Sequence, residues 1–552
     1  MGIPSYFSYI VKNHPLVIRK LDKNFIINNL YLDANSVIYD CVHKIDFTTL
    51  VENDITTIQN AVFAKLDEYI SLIQPNNNIF IAFDGVAPVA KLEQQRQRRY
   101  KSSYQNKVFE TITKKSDPWN TTAITPGTDF MHQLNKQVRI RFNDPKKYNV
   151  KRLLVSPSDE YGEGEHKLFK YIRDNKKEHE NATTIIYGLD ADLIMLSINH
   201  LPISRNIYLY RETPHFIQSI NSDLLPDESY LIDIPELSSI ITTNMNSFNG
   251  ENDSDKAECN DNAKITKMNR VYDYILLCFF LGNDFMPHFP SINIRTGGID
   301  KMLNAYKATM GPKDVLTDGN KINWRNMRKL ILFLAKAEEN NFKQEMKLRD
   351  KRENANMSEE TQEDKIKKFE SLPTYKRDIE KYINPFNPNW EKRYYKSLFE
   401  FEIDDTRKEQ ICVNYLEGLE WTLKYYTSGC PDWRWHYKYN YPPLLSDLIQ
   451  HVPYFDTEFI GKKVDSPVSE VTQLCYVLPK QSMKMLPSKV YDKVIRDHKH
   501  LYNDEFKFQW AFCRYFWESH AVLPEIDIEE LEKSIGEEYW RCLVFEKTNN
   551  NL

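Results

Sequence analysis

The segment Thr184-Ile185-Ile186-Tyr187-Gly188-Leu189-Asp190-Ala191-Asp192 reads as a buried β-strand that stops on a carboxylate and carries a second one two residues on. The same grammar recurs upstream. Leu30-Tyr31-Leu32 closes on Asp33, and Ile79-Phe80-Ile81-Ala82-Phe83 closes on Asp84 just before Gly85. Arg152 to Ser156 is a fourth candidate strand. Short β-branched or aromatic runs alternate with longer helical stretches over the first 300 residues, which predicts an α/β fold with a largely parallel mixed sheet flanked by helices. Ligands of such sheets sit outside the carboxyl ends of the strands. Asp33, Asp84, Asp190 and Asp192 are therefore expected to converge on one edge.

Two further clusters extend the set. Gly162-Glu163-Gly164-Glu165 follows the Leu153-Leu154-Val155 strand and opens a helix, and Asp284 follows an apolar helix through Gly282-Asn283. Any one of these acids alone is more simply a turn former or a helix cap. Seven meeting in one place would repel each other unless cations were bound. Hard oxygen donors without thiolates indicate magnesium or manganese, with two ions expected. The constellation points to metal-dependent phosphoryl transfer or hydrolysis.

Just past Pro88, Lys91 to Lys101 contains no helix breaker and should be helical. Lys91, Gln95, Arg98 and Arg99 stand at i, i+4, i+7 and i+8, on one face, where they can surround a single compact anion. The plain alternative is a solvated basic face. A pocket for a phosphate end beside a metal centre measures substrate from its terminus, which is an exonuclease geometry.

The 552 residues are 41% hydrophobic, 27% charged and 13% aromatic, which excludes a disordered chain and a single small module. Lys plus Arg number 73 against 78 Asp plus Glu, so a site for a polyanion must be locally basic. The eight cysteines are scattered, with no zinc spacing, which fits a reducing compartment. No apolar run reaches bilayer length. Gly2 is followed by Tyr6 where a myristoylation start wants Ser or Thr, so an intracellular, unanchored, cytoplasmic chain is expected. Residues 1–334 read as a nuclease core and 335–385 as a charged helical arm projecting from the body. Residues 386–552 read as an aromatic-rich, mostly helical second region packing on the core. Thr242 to Lys267 reads as a polar surface loop preceding a helix from about Val271 to Leu281.

Several long stretches, in order, resemble the Xrn-type 5′-to-3′ exoribonuclease family. They are Met1-Gly2-Ile3-Pro4 with Phe7, LYLDANS from Leu30 to Ser36, and FDGVAPVAKLEQQRQRR from Phe83 to Arg99. YGEGEHK from Tyr161 to Lys167, YGLDADLIML from Tyr187 to Leu196 and CFFLGNDFMPHFP from Cys278 to Pro290 follow. Trp421 to Pro443 and Phe512 to Pro524 look like the family's second shared region.

The resemblance implies a PIN- or flap-nuclease-like core. It also implies processive, metal-dependent removal of nucleoside 5′-monophosphates from single-stranded RNA with a 5′-monophosphate, as in decay of decapped mRNA. Under it, Asp33, Asp84, Glu163, Glu165, Asp190, Asp192 and Asp284 are the metal-binding and catalytic acids. Lys91, Gln95, Arg98 and Arg99 form the 5′-phosphate pocket, too small for a cap or triphosphate. His166 and Lys167 stand beside the acids, as orienting groups or as ordinary helix-surface residues.

One departure is Tyr39, where the family usually has a base-stacking His; Tyr39 can still stack. Its Trp partner in the family corresponds to Trp433 or Trp435, both of which read equally well as core aromatics. A second departure is length, since the chain stops soon after the second shared region. A monomer is expected, with a decapping enzyme as a partner that would supply substrate. The Asn, Ile, Lys and Tyr bias suits an AT-rich genome, that of a protist or a large DNA virus. The rival readings are a flap-endonuclease-like DNA nuclease and a catalytically silent RNA-binding scaffold. The presence of all seven acids speaks against the scaffold.

Overall fold

A computed structural model describes residue 3 and residues 5–21, 25–47, 54–115, 119–212, 218–225, 228–246, 261–353 and 357–536. Of positions 229 and 261–268 it describes the backbone alone. Seven strands form one sheet: β1 (Ile18–Lys20), β2 (Asn29–Asp33), β3 (Asn78–Ala82), β4 (Arg152–Ser156), β5 (Thr183–Tyr187), β6 (Asn206–Glu212) and β7 (Ser229–Asp233). The spatial order is β1-β7-β6-β5-β2-β3-β4. The five strands from β6 to β4 are parallel, and β7 and β1 complete the sheet antiparallel. The mixed, largely parallel sheet expected from the sequence is therefore present.

Apolar runs without polar alternation suit strands covered on both faces. Leu30, Leu32, Ile79, Ile81, Ile185 and Tyr187 point into one core, against helices Asn35–Lys44 and Asp54–Ile73. Tyr31, Phe80, Ala82 and Ile186 point into the other, against helices Gly164–Asp174 and Asp192–His200. That second core continues into Tyr415, Trp421, Tyr425, Tyr426 and Trp435, so helix Asp405–Thr427 of the aromatic second region packs on the helices that cover this face of the sheet.

The chain runs from β2 outward through β3 to β4, then returns to place β5 on the other side of β2. The crevice between the carboxyl ends of β2 and β5 is thus the switch point where such sheets bind ligands.

Two expectations need correction. The stretch from Thr242 to Lys267 is not one loop: helix Ile234–Asn246 takes its beginning and helix Asp261–Phe279 its end, while 247–260 lie outside the described residues. A low apolar count hid both helix ends. The charged segment after Ala335 does not project either. It continues helix Trp324–Glu353, whose Glu338, Phe342, Glu345, Met346 and Arg349 are buried. Its charges are tolerated inside because they are paired. Arg349 bonds both oxygens of Glu380 at 2.7 and 2.8 Å, and Glu338 accepts the Leu445 and Ser446 amides at 2.8 and 3.0 Å.

Among the described residues the six cysteines are free thiols, and no helix is long and apolar enough to cross a membrane.

Candidate active site

Asp33 is the last residue of β2. Asp84 lies two residues beyond β3 and Asp190 three beyond β5, so the carboxylates stand over the switch-point crevice rather than inside the strands. Asp84 is held from two sides. Its Oδ1 accepts the Gly164 amide at 2.7 Å and its Oδ2 accepts Asn35 Nδ2 at 2.6 Å, while its own amide donates to Asn35 Oδ1 at 3.1 Å. The Gly164 amide belongs to the start of a helix, where unpaired N–H groups favour an anion. A Cβ on Gly164 would lie 2.8 Å from Asp33 Oδ1 and 3.2 Å from the Ala82 carbonyl, so any larger residue would displace the Asp33 carboxylate and crowd the end of β3.

The helix that starts at Gly164 has Glu163 at the position just before it, with no capping bond from its side chain, and carries Glu165 in its first turn. Tyr425, from the second region, donates to Glu163 Oε1 at 2.7 Å. Asp192 opens the next helix, and its amide donates to Asp190 Oδ1 at 3.4 Å. Asp284 arrives after Gly282, whose φ of +85° turns the chain back into the crevice. Lys91 joins the set from the opposite wall, bonding Glu163 and, at 2.8 Å, Asp284.

The electrostatics bind these groups into one cluster. Loss of hydration raises Asp33 well above the usual carboxylate range, and Asp84, Asp190 and Glu163 raise it further. Glu165 is raised by burial and then by Asp190, Asp192 and Glu163, and Asp192 by burial and then by Asp284 and Asp190. Burial opposes the Lys91 charge, yet Asp284, Glu163, Glu165 and Asp190 hold its ammonium above the ordinary value. The structure thus brings together all seven acids singled out in the sequence.

Whether the residues present suit a divalent cation is answered by their donors. Asp33 Oδ1 and Asp192 Oδ1 are buried oxygens without a hydrogen-bond partner. Glu163, Glu165 and His166 each offer a ligand atom within 4.8 Å of the others. An oxygen-rich set that its own charges cannot neutralise fits hard cations. His166 is held neutral, its imidazole pushed well down by burial and then by Arg173, and it stacks on Tyr425 with centroids 3.8 Å apart. Lys167 points elsewhere, donating to the Phe83 and Pro157 carbonyls at 2.7 and 2.9 Å.

Helix Val89–Thr113 forms the facing wall. A cavity of about 1130 Å3 lies between, lined by Asp33, Asp84, Asp190 and Asp284 on one side and Lys91, Gln95, Arg98 and Arg99 on the other. Gln95 Oε1 and Arg99 Nη1 are buried without a partner. Burial pushes Arg99 down to about 10, which leaves it charged at neutral pH.

Tyr39 lines the same cavity; Trp433 and Trp435 do not. Trp435 is buried, stacked on Trp421 with centroids 5.3 Å apart, and Trp433 is edge-on to Tyr161 at 5.6 Å.

Sequence reasoning missed four residues. Asn35 and Tyr425 orient acids. Trp119 lines the cavity and stacks on Phe47. Arg211, near the end of β6, lines it with its guanidinium over the Phe7 ring at 3.9 Å and its Nε unpartnered. The "ANS" after Asp33 was a signal for Asn35; the others make contacts too distant in sequence to leave a local pattern. Met1, Gly2 and Pro4 of the opening motif lie outside the described residues.

A carboxylate cluster at the switch point of a parallel sheet, faced by a cationic wall, defines a site for cation-assisted phosphodiester chemistry. Comparison with known proteins narrows the class. The model for the XRN 5′-3′ exonuclease N-terminus matches residues 1–213, and that for the Xrn1 helical domain matches residues 265–381 and 357–550. The chain is 25% identical over 697 residues to 5′-3′ exoribonuclease 2 of Gallus gallus, covering 100% of this chain and 71% of that protein. It is 26% identical over 698 residues to 5′-3′ exoribonuclease 2 of Arabidopsis thaliana, covering 96% and 66%. To 5′-3′ exoribonuclease 1 of Saccharomyces cerevisiae it is 25% identical over 697 residues, covering 100% and 44%. The chain belongs to the XRN 5′-3′ exonuclease family.

Proposed function

We propose that this chain degrades single-stranded RNA from a 5′-monophosphate end, processively, releasing nucleoside 5′-monophosphates. The observation that carries the reading is the shared cavity, in which Lys91, Gln95, Arg98 and Arg99 face Asp33, Asp84, Asp190 and Asp284. A terminal phosphate offers more charge and more free oxygens than an internal one, and guanidinium forks match it geometrically. Docked on this helix face, it sets the first phosphodiester opposite the acids. Exclusion of a cap or a triphosphate belongs to the same reading, with the four wall residues taken up by one phosphate.

Asp33, Asp84, Glu163, Glu165, Asp190, Asp192 and Asp284 would hold magnesium or manganese, two ions by the number of carboxylates, supplying an acidified water and charge neutralisation at the leaving oxygen. The chain's own groups prepare the place. Asn35 fixes the rotamer of Asp84, and Tyr425 fixes Glu163. Lys91 offsets part of the acid repulsion and gives the terminal phosphate a cation at the boundary between the two walls. Tyr39 and Trp119 offer ring faces on which bases of a single strand can stack. Arg211, which lines the cavity with its Nε unpartnered and Asp190 as its nearest acidic influence, offers a backbone phosphate a charge.

We read the working unit as a monomer acting on RNA whose 5′-monophosphate a decapping enzyme exposes.

Incubation in magnesium with 5′-monophosphate RNA, 5′-hydroxyl RNA and flapped DNA tests the proposal. Mononucleotides bearing 5′-phosphates from the first substrate, with slow or no release from the second, are expected. Internal cuts in the flapped DNA, or no cleavage at all, would overturn it.

A further inference from the structure

On the far side of helix Val89–Thr113 a second cavity of about 500 Å3 meets the first at Gln94, Arg98 and Asp284, which line both. Its remaining wall comes from the loop after Gly282 and from the carboxyl-terminal third of the chain. Most of its charges are committed. Arg295 pairs with Glu518 at 2.6 Å, Tyr476 donates to Glu93 at 2.8 Å, Gln509 donates to Glu400 at 3.1 Å and Lys101 donates to the Trp517 carbonyl at 2.9 Å. Lys438 and Glu525, which line the same space, have no ion-pair partner among the described residues, and Arg98 makes none within ion-pair distance, its charge acting on Asp284 from farther off.

His288, His436 and His520 also line it, each held below the ordinary imidazole range by burial. Neutral rings offer one donor and one acceptor apiece, and Tyr441 and Trp517 add aromatic surface. Cations, neutral hydrogen-bonding rings and aromatic faces in a space of small-molecule size match a phosphate, a base edge and a base face.

We propose that this chamber receives the released nucleoside 5′-monophosphate, an inference that rests on the exoribonuclease reading above. A processive enzyme faces a traffic problem. The incoming strand occupies the larger cavity, and its new 5′-phosphate must reach Lys91, Gln95, Arg98 and Arg99. The mononucleotide just cut off cannot back out past that strand. Arg98 and Asp284 form the boundary common to both chambers, and in this proposal the product crosses it forward while the strand advances behind.

The test compares wild type with Lys438→Gln, at an exposed position, and His436→Trp, which narrows the chamber. Adenosine 5′-monophosphate is the added probe, and single-turnover release of the first nucleotide from 5′-phosphorylated RNA is the control. The inhibition constant of the probe should rise about fivefold in Lys438→Gln, and steady-state release should slow about fivefold in His436→Trp, with single-turnover release unchanged in both. Unchanged inhibition in Lys438→Gln together with an unchanged steady-state rate in His436→Trp overturns the chamber. If wild type releases no mononucleotide in the control, the exoribonuclease reading falls as well, so the two failures are distinguishable. Lys438→Gln leaves the core untouched and keeps the test decisive should His436→Trp not fold.

Discussion

Lys91 Nζ lies 2.8 Å from the Asp284 carboxylate, and the same ammonium bonds Glu163. A residue of the phosphate-facing helix therefore holds two acids delivered by unrelated segments. A phosphate oxygen arriving at Lys91 competes with both carboxylates. Under the proposed function, docking of the terminal phosphate and release of the acids toward cations would be one coupled event.

The acids act as a set, so losing one should disable the rest. Asp192→Ala should cut magnesium-dependent RNA degradation by at least roughly a thousandfold while preserving the circular dichroism spectrum. Asn35→Ala, which only releases Asp84, should cost roughly tenfold to a hundredfold in activity or magnesium affinity. Titration of rate against magnesium checks both, and wild-type behaviour in either variant contradicts the arrangement.

Arg99 should read the phosphate end. A hydrogen bond to a charged group contributes about 1.5–3 kcal/mol, so Arg99→Ala should lower the preference for 5′-monophosphate over 5′-hydroxyl RNA roughly tenfold to a hundredfold. The ratio of kcat/KM for the two RNAs is the readout. An unchanged ratio removes Arg99 from the pocket.

The raised carboxyls of Asp33, Glu165 and Asp192 fix the sign of a pH effect. Without cations the folded state binds protons that the unfolded state has released. That stabilisation is complete below the ordinary carboxylate values near 4 and is lost as pH rises through the raised ones. In chelator this contribution is lost between pH 5 and pH 8, while the buried neutral histidines His166, His288, His436 and His520 add stability over the same range, so the magnesium-induced rise in thermal midpoint is the readout that isolates the acids. That rise should be larger at pH 8 than at pH 5. A magnesium effect no larger at pH 8 than at pH 5 would contradict the cluster.

Arg211 is the clearest residue that pattern reading did not supply. Arg211→Met keeps a long side chain over Phe7 while removing the charge. RNA binding should weaken, and the slope of log affinity against log salt should flatten by about 0.7, the value for one phosphate contact on a single strand. An identical slope would place Arg211 outside the RNA path.

The fold was legible because each central strand is an apolar run closed by an acid. Observed β2, β3, β4 and β5 begin within a residue of the runs around Tyr31, Phe80, Leu154 and Ile186, and the overshoot to Asp84 and Asp190 reflects loops that carry the acids past the last ladder bond. Asp33, Asp84 and Asp190 were legible for the same reason, Glu163, Glu165 and Asp284 from glycines at helix ends, and the basic face from helical spacing alone. What escaped were strands β1, β6 and β7, and pairings between distant segments. Lys91 has helix-face spacing in common with Arg99, and nothing local reveals that its ammonium turns toward Glu163 and Asp284. Arg349 and Glu338 look solvent-bound until Glu380 and the Leu445 amide appear beside them. Trp433 and Trp435 are alike in sequence, and packing alone separates the buried ring from the half-buried one.

The proposed function stands on one terminal phosphate held by the cationic wall while the first linkage faces the acids. A crystal structure of the Asp190→Asn variant with a short 5′-phosphorylated RNA and magnesium tests it. The terminal phosphate should lie on Lys91, Gln95, Arg98 and Arg99, with the first phosphodiester against Asp33, Asp84 and Asp284. A terminal phosphate bound elsewhere, or a strand threaded with an internal linkage on that wall, would contradict it.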